Sequence, residues 1–497
     1  MDRYVSTDTL CNYFSGPLFI GVFLLFFIVL IFGRELSYLH PPDIHGFRCG
    51  INNSKFKNSF PDFTNKKYLG FNKSLQCMEH CESNTLISLC IPSNLKSLKK
   101  SPIYFRIGYD FLQYRSLLVF FVVFSVLFSL PLIFSCFWCA LPVFYTICGV
   151  FSIFIIGGFG WYLYQGEYLI SLCLFLFLSV FIIFFVFLKK RISVLYPIVS
   201  YSIKALLSSP SSLLSFLVIL IAGLFSIVFG ISGIIFTKGI SDPVVHEKSL
   251  SIEQHPSLNL TLILFLFISS WFYEFVLAWM RMGISYIVAS VFYRHPTPSF
   301  WDSMKTIIQF HSGTLFFGSY VVFALETLSR ILLSVQSLLK KTKNTFIRFL
   351  FHCVLSIFYC FLKIAGEINR LSFVFTALKG FSFWDSCKES MHFYKNLDIM
   401  SIELLLHDVF LIAKVFMAGS SCICAWIVLS NKALELWVPI TILPLIVYTI
   451  IGSVESTIES AAETVLVCIK EEADDDEVYT PRELYPIAQL FTKTDSL

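Results

Sequence analysis

Charge is what this sequence has least of. Only 14% of its 497 residues are Asp, Glu, Lys or Arg, against about a quarter in an ordinary soluble domain. Its 37 basic and 33 acidic side chains nearly cancel, and a net charge of +4 supplies no electrostatic footprint for nucleic acid. Enzyme signatures are missing as well. There is no phosphate-cradling G-x-x-x-x-G-K, no zinc-binding H-E-x-x-H and no G-x-S-x-G elbow. A catalytic function, a cofactor and a bound metal are therefore not expected. The apolar runs lack the period-two alternation of a transmembrane barrel, which excludes that architecture.

What is present is apolar. Hydrophobic residues make up 56% and aromatic residues 17%, with 56 phenylalanines. Crossing about 30 Å of hydrocarbon takes about 20 apolar residues in a helix. Runs of that kind lie near 17–33, 116–137, 140–163, 168–188, 211–237, 260–282, 313–336, 350–378, 404–429 and 435–468. The expected fold is all-α: a polytopic helical membrane protein of about ten transmembrane helices, with the lipid bilayer as its solvent. The first run is too long for a signal-peptide core and no small-residue cleavage site follows it, so it reads as the first span. The last is too long for one straight crossing, and its C-terminal part is expected to project beyond the membrane.

The segment 34–115 breaks the pattern. It is polar and basic and carries Cys49, Cys77, Cys81 and Cys90, beside sequons at Asn52 and Asn72. Cysteines gathered in one hydrophilic loop with sequons point to an oxidising, exterior side. Four cysteines allow three pairings, and the spacing does not choose among them. A third sequon, at Asn259, lies near the membrane. The organisation expected is a cytosolic tail (1–16), a first helix (17–33), the exterior loop (34–115), a helical bundle (116–468) and an acidic cytosolic tail (469–497). Counting spans puts Lys189, Lys190 and Arg191 in the cytosol, as the positive-inside rule prefers. The same count puts the basic segment 338–348 outside, against that rule.

Ionisable groups at membrane depth cost about 2.5–3.5 kcal/mol each on insertion scales, so they face a bundle interior or a polar path. Three clusters stand out. In "LLLHDVFLIAKVFMAG" (404–419), Glu403, His407 and Lys414 share a narrow helical arc, with Asp408 about 100° away. In 451–468, Glu455, Glu459 and Glu463 recur every four residues. They are candidate partners for the first cluster, with Lys414 holding Glu455 or Glu459; a solvated helix end is the alternative for Glu459 and Glu463. In "SSWFYEFVLAWMRM" (269–282), Glu274 lies among Trp271, Tyr273 and Trp279. A carboxylate beside aromatic faces suits a quaternary ammonium, which has no proton to donate.

These stretches, with others, resemble the choline transporter-like protein family. "HSGTLFFGSYV" at 311–321, "INRLSFVFTALKGFSFWDS" at 368–386, "DVFLIAKVFMAG" at 408–419 and "AAETVLVCIKEE" toward the end carry the resemblance. The match is diffuse and strongest from about 310 onward. It departs from the family pattern where His407 takes the place of an intramembrane aspartate, Ala413 that of a glycine, and Glu463 that of a second aspartate. The chain therefore reads as a divergent member. The resemblance implies transport of choline or a related small organic cation across the plasma membrane, coupled to protons and supplying phospholipid synthesis. Ethanolamine or another amine is an alternative substrate, and a non-transporting scaffold or receptor an alternative class.

Overall fold

In the computed structural model the described residues are 195–238, 242–245, 250–253, 256–339, 345–395, 397–429, 435–474 and 480–485, most of 43–90, and scattered positions between Asp8 and Ser179. The first four expected spans lie largely outside the described residues. The remaining six coincide with long helices: α1 (Leu214–Lys238), α2 (Pro256–Phe292), α3 (Phe300–Leu339), α4 (Thr345–Lys379), α6 (Leu397–Leu429) and α7 (Trp437–Asp474). A short helix, α5 (Phe383–Phe393), joins α4 to α6. Helices α1, α2, α3 and α7 each contain a window apolar enough to cross a membrane. The 35 residues of α4 and 33 of α6 give them the length to do so.

Local chemistry explains where the helices begin and end. The third begins 13 residues before its apolar run, because Ser299 and Asp302 bond reciprocally at its start. Ser382 and Asp385 repeat that box at the start of α5. Helix α4 stops at Gly380, whose φ of 70° suits the left-handed closing residue. Helix α2 ends in the same manner with a non-glycine residue, Arg294 at φ 54°. There His295 N–H returns to Ser290 and Arg294 N–H to Val291.

Helix α7 is the centre of the bundle. From Val454 to Lys470 nearly every side chain is buried, and it packs on α6, α2, α1 and α4. One core brings together Ile284 and Val288 of α2, Val374 of α4, Leu406 of α6 and Ala461 and Val465 of α7. Close approach elsewhere depends on glycine. A Cβ at Gly318 of α3 would lie 2.6 Å from the rings of both Phe373 and Phe383. Hydroxyls bridge helices where lipid offers no driving force for association: Ser215 to Thr457 at 3.1 Å, Thr464 to Ser285 at 2.9 Å, and Ser226 to the carbonyl of Ser269.

Strands occur, among the described residues, only in loops. β1 (Tyr68–Phe71), β2 (Leu75–Met78), β3 (Thr85–Leu86) and β4 (Leu89–Cys90) form a sheet ordered β2-β1-β4-β3, and β5 (Asp242–Val245) pairs antiparallel with β6 (Leu250–Glu253). The small sheet is cross-linked by Cys49–Cys77 and Cys81–Cys90, which selects one of the three possible pairings. Asn53 inside this loop is fully buried and bonds the backbone of Arg48. Burial pushes the Asp43 carboxyl up, against the N–H groups of Phe47 and His45 that favour its charged form.

Candidate functional site

Two polar constructions occupy the bundle interior. The first is a ladder on one face of α7. Residues four apart stand about 6 Å apart along a helix, and like charges at that spacing repel. Each carboxylate is answered from a different position. Lys414 Nζ of α6 lies 3.4 Å from Glu455 Oε2, His407 Nδ1 of α6 lies 2.9 Å from Glu459 Oε1, and Arg281 Nη1 of α2 lies 3.6 Å from Glu463 Oε2. Lys414 also stands 6.0 Å from the ring centroid of Tyr448. The three glutamates are 6%, 8% and 5% exposed, so Glu459 and Glu463 are not a solvated helix end. Helix α6 explains the shared face: His407 and Lys414 are seven residues apart, about two turns, and both point at α7. Asp408 is exposed. Glu403 lies in the helix, but its side chain is outside the described residues.

The second is a cavity of about 300 Å³ bounded by α1, α2, α3 and α7, near the small end of the range of ligand pockets. Its polar wall holds Tyr273 and Glu274 from α2 with Glu326 and Arg330 from α3. Gly223 of α1 leaves room for the Tyr273 ring, since a Cβ there would lie 3.3 Å from it. Phe323 adds an apolar face, and Ser453 of α7 closes the side next to Glu455. The Glu274 carboxylate makes no hydrogen bond and no ion pair with any described residue. Glu326 differs. One of its oxygens bonds Arg370 Nη2 of α4, and the other lies 3.4 Å from Arg330 Nη2. Arg370 in turn lies 3.4 Å from Glu367.

Of the four residues expected around a cation on α2, the fold brings Tyr273 and Glu274 to the cavity and leaves Trp271 and Trp279 out of its lining. Both indoles are spent on helix packing: Trp271 N–H donates to Ser319 Oγ at 3.2 Å and Trp279 N–H to the Met304 carbonyl at 3.2 Å. Arg281 turns to Glu463 rather than toward Glu274. Glu326, Arg330, Glu367 and Arg370 were missed from sequence. Their signal was present, as charges inside the least apolar runs, 313–336 and 350–378. Among the sequons, Asn52 accepts the Ser54 N–H at 2.9 Å and its hydroxyl at 2.6 Å, Asn259 is exposed near the start of α2, and Asn72 lies outside the described residues.

Residues 172–474 match the family described as plasma-membrane choline transporter. The chain belongs to that family. Every residue of the cavity and of the ladder falls inside the matched stretch, while the disulfide-bonded loop precedes it. Among relatives, choline transporter-like protein 5 of Macaca fascicularis is 23% identical over 265 residues, 49% of this chain and 36% of its own length. Choline transporter-like protein 2 of Dictyostelium discoideum is 20% identical over 213 residues, 41% and 34% respectively. The Bos taurus choline transporter-like protein 2 is 23% identical over 226 residues, 42% and 32%. The matched part thus spans about a third of the length of these relatives. This choline transporter family member is an integral, multi-pass membrane protein.

Proposed function

We propose that the protein carries choline, or a closely similar small organic cation, across the plasma membrane through the cavity around Glu274. One observation carries this reading: a carboxylate at membrane depth, facing a cavity, with no hydrogen bond or ion pair to any described residue, while Arg330, the cation in the lining, pairs with Glu326 instead. Such a charge is costly to keep, and a bound cation would offset the cost. Tyr273 and Phe323 offer aromatic faces to a trimethylammonium group. The hydroxyls of Ser270, Thr327 and Thr449 offer partners for the alcohol. A scaffold that moves nothing has no use for Glu274 in this state. Family membership and the names of the relatives support the same substrate class.

Coupling to protons belongs to the proposal. His407 is bonded to Glu459 inside the bundle, and imidazole is the side chain whose ordinary pKa, about 6.5, lies near neutrality. Choline delivered this way would supply phospholipid synthesis. The test is uptake of labelled choline into liposomes holding only this protein, with and without a pH gradient, for wild type and Glu274→Gln. Loss of saturable uptake in the variant is expected. Wild-type kinetics in Glu274→Gln would remove the cavity from consideration. A preference for ethanolamine over choline would reassign the substrate to an amine that donates hydrogen bonds.

A further inference from the structure

The cavity contains a cation of the protein's own. Arg330 lines it from α3, one turn past Glu326, with Nη2 3.4 Å from Glu326 Oε2. The two guanidiniums that meet Glu326 are held very differently. Arg370 reaches it from α4, is 28% exposed, and also engages Glu367. Arg330 is 78% exposed and has Glu326 as its one ion-pair partner among the described residues. A pair at 3.4 Å to a carboxylate that Arg370 already neutralises holds its guanidinium loosely. Arg370 is therefore a fixed neutraliser behind the cavity wall, while Arg330 is a loosely held charge at the cavity's rim.

We propose that Arg330 is a tethered competitor of the transported cation. Its guanidinium occupies the cation subsite at Glu326 when the cavity is empty, and the entering ammonium displaces it. The residue therefore determines affinity for the substrate cation. A binding-competent state populated only part of the time lowers apparent affinity by that fraction. The tether keeps the competitor at high local concentration. Removing it frees the Glu326 oxygen it holds, beside Glu274, for the substrate, while Arg370 keeps the other. The inference rests on reading the cavity as a cation site.

The experiment is choline uptake kinetics in liposomes for wild type, Arg330→Gln, Arg330→Met, Glu274→Gln, Glu326→Gln and the double variant Glu326→Gln/Arg330→Gln. Arg330→Met keeps the aliphatic stem and serves if Arg330→Gln folds poorly. Both Arg330 variants are expected to lower KM by roughly two- to fivefold, the scale of a weak exposed pair, with kcat unchanged. Millimolar guanidinium chloride should raise the KM of these variants back toward wild type and leave wild type little affected. In the Glu326→Gln background the Arg330→Gln change should no longer lower KM. An unchanged or raised KM in both Arg330 variants, or a fall in kcat alone, overturns the competitor while Glu274→Gln remains defective. Wild-type uptake in Glu274→Gln overturns the cation site itself, and this inference with it.

Discussion

The imidazole of His407 meets the carboxylate of Glu459 at 2.9 Å, and this pair is the tight middle rung of the α7 ladder. The rungs on either side are looser, at 3.4 Å for Lys414–Glu455 and 3.6 Å for Arg281–Glu463. Glu455 Oε2, Glu463 Oε2 and Arg281 Nη1 are buried without a hydrogen bond. The middle rung is bonded through a group that can lose its proton. The outer two are charge contacts of a carboxylate with a lysine or arginine, cations that ordinarily keep their proton.

Lys414→Met should reduce the amount of folded protein recovered in detergent, because it strands Glu455 without its cation. Breaking one side of a buried pair costs about 3–5 kcal/mol. Adding Glu455→Gln should restore much of the loss. A Lys414→Met protein with wild-type yield and melting temperature would show that the rung is not structural.

His407→Gln should leave expression intact and flatten the pH dependence of uptake. An imidazolium attracts Glu459 as an ion pair below its pKa, and a neutral ring offers only a hydrogen bond above it. Glutamine offers the hydrogen bond at every pH. Uptake rates measured between about pH 5.5 and 7.5, around the ordinary histidine value, check this. An unchanged profile would leave the rung as a bland interhelical contact.

The aromatic residues of α2 should separate by role. Tyr273→Ala removes a cavity face and should raise the apparent KM by about 0.5–2 kcal/mol on the cation–π scale. Trp271→Ala instead removes the indole bond to Ser319. It should lower stability, with KM near wild type in the protein that folds. Equal KM increases in both variants would refute the division.

Peptide mapping without reduction should recover Cys49 linked to Cys77 and Cys81 linked to Cys90. Cys49→Ser should then make Cys77, alone of the four loop cysteines, reactive to a thiol reagent. Labelling of Cys81 or Cys90 in that variant would mean a different pairing.

Much of this was legible in the sequence because lipid enforces simple rules. Six of the ten expected runs coincide with helices, and the spacing of Glu455, Glu459 and Glu463 places them on one face in the structure as on paper. What failed was partner choice on α2, α3 and α4. Whether Trp271 faces a cavity or Ser319 depends on how α2 is rotated against α3, and a single helix carries no record of that. Glu326 and Arg370 meet across 44 positions, between two helices whose charges dilute their apolar signal. Disulfide pairing was silent for the same reason: it depends on strand register, and β1 brings β2 and β4 together only in the folded loop.

The contact of Lys204 with Glu483, at 2.7 Å, has a consequence of parity. Two residues that touch lie on one side of a bilayer, so the chain between them crosses it an even number of times. Between Lys204 and Glu483 run six long helices, α1, α2, α3, α4, α6 and α7, and six crossings would satisfy that parity. If the run at 313–336 alone stopped short, the count of five would not match the contact. Asp8 bonds both Thr314 and the Phe383 N–H, so those two positions lie together on one side as well. On the count of six, the prediction is that the segment between Leu339 and Thr345 lies on the side away from Lys204, its lysines set against the usual charge bias. A reporter inserted at 342 should read out on the same side as one placed beside Cys49, and on the opposite side from one at the C-terminus.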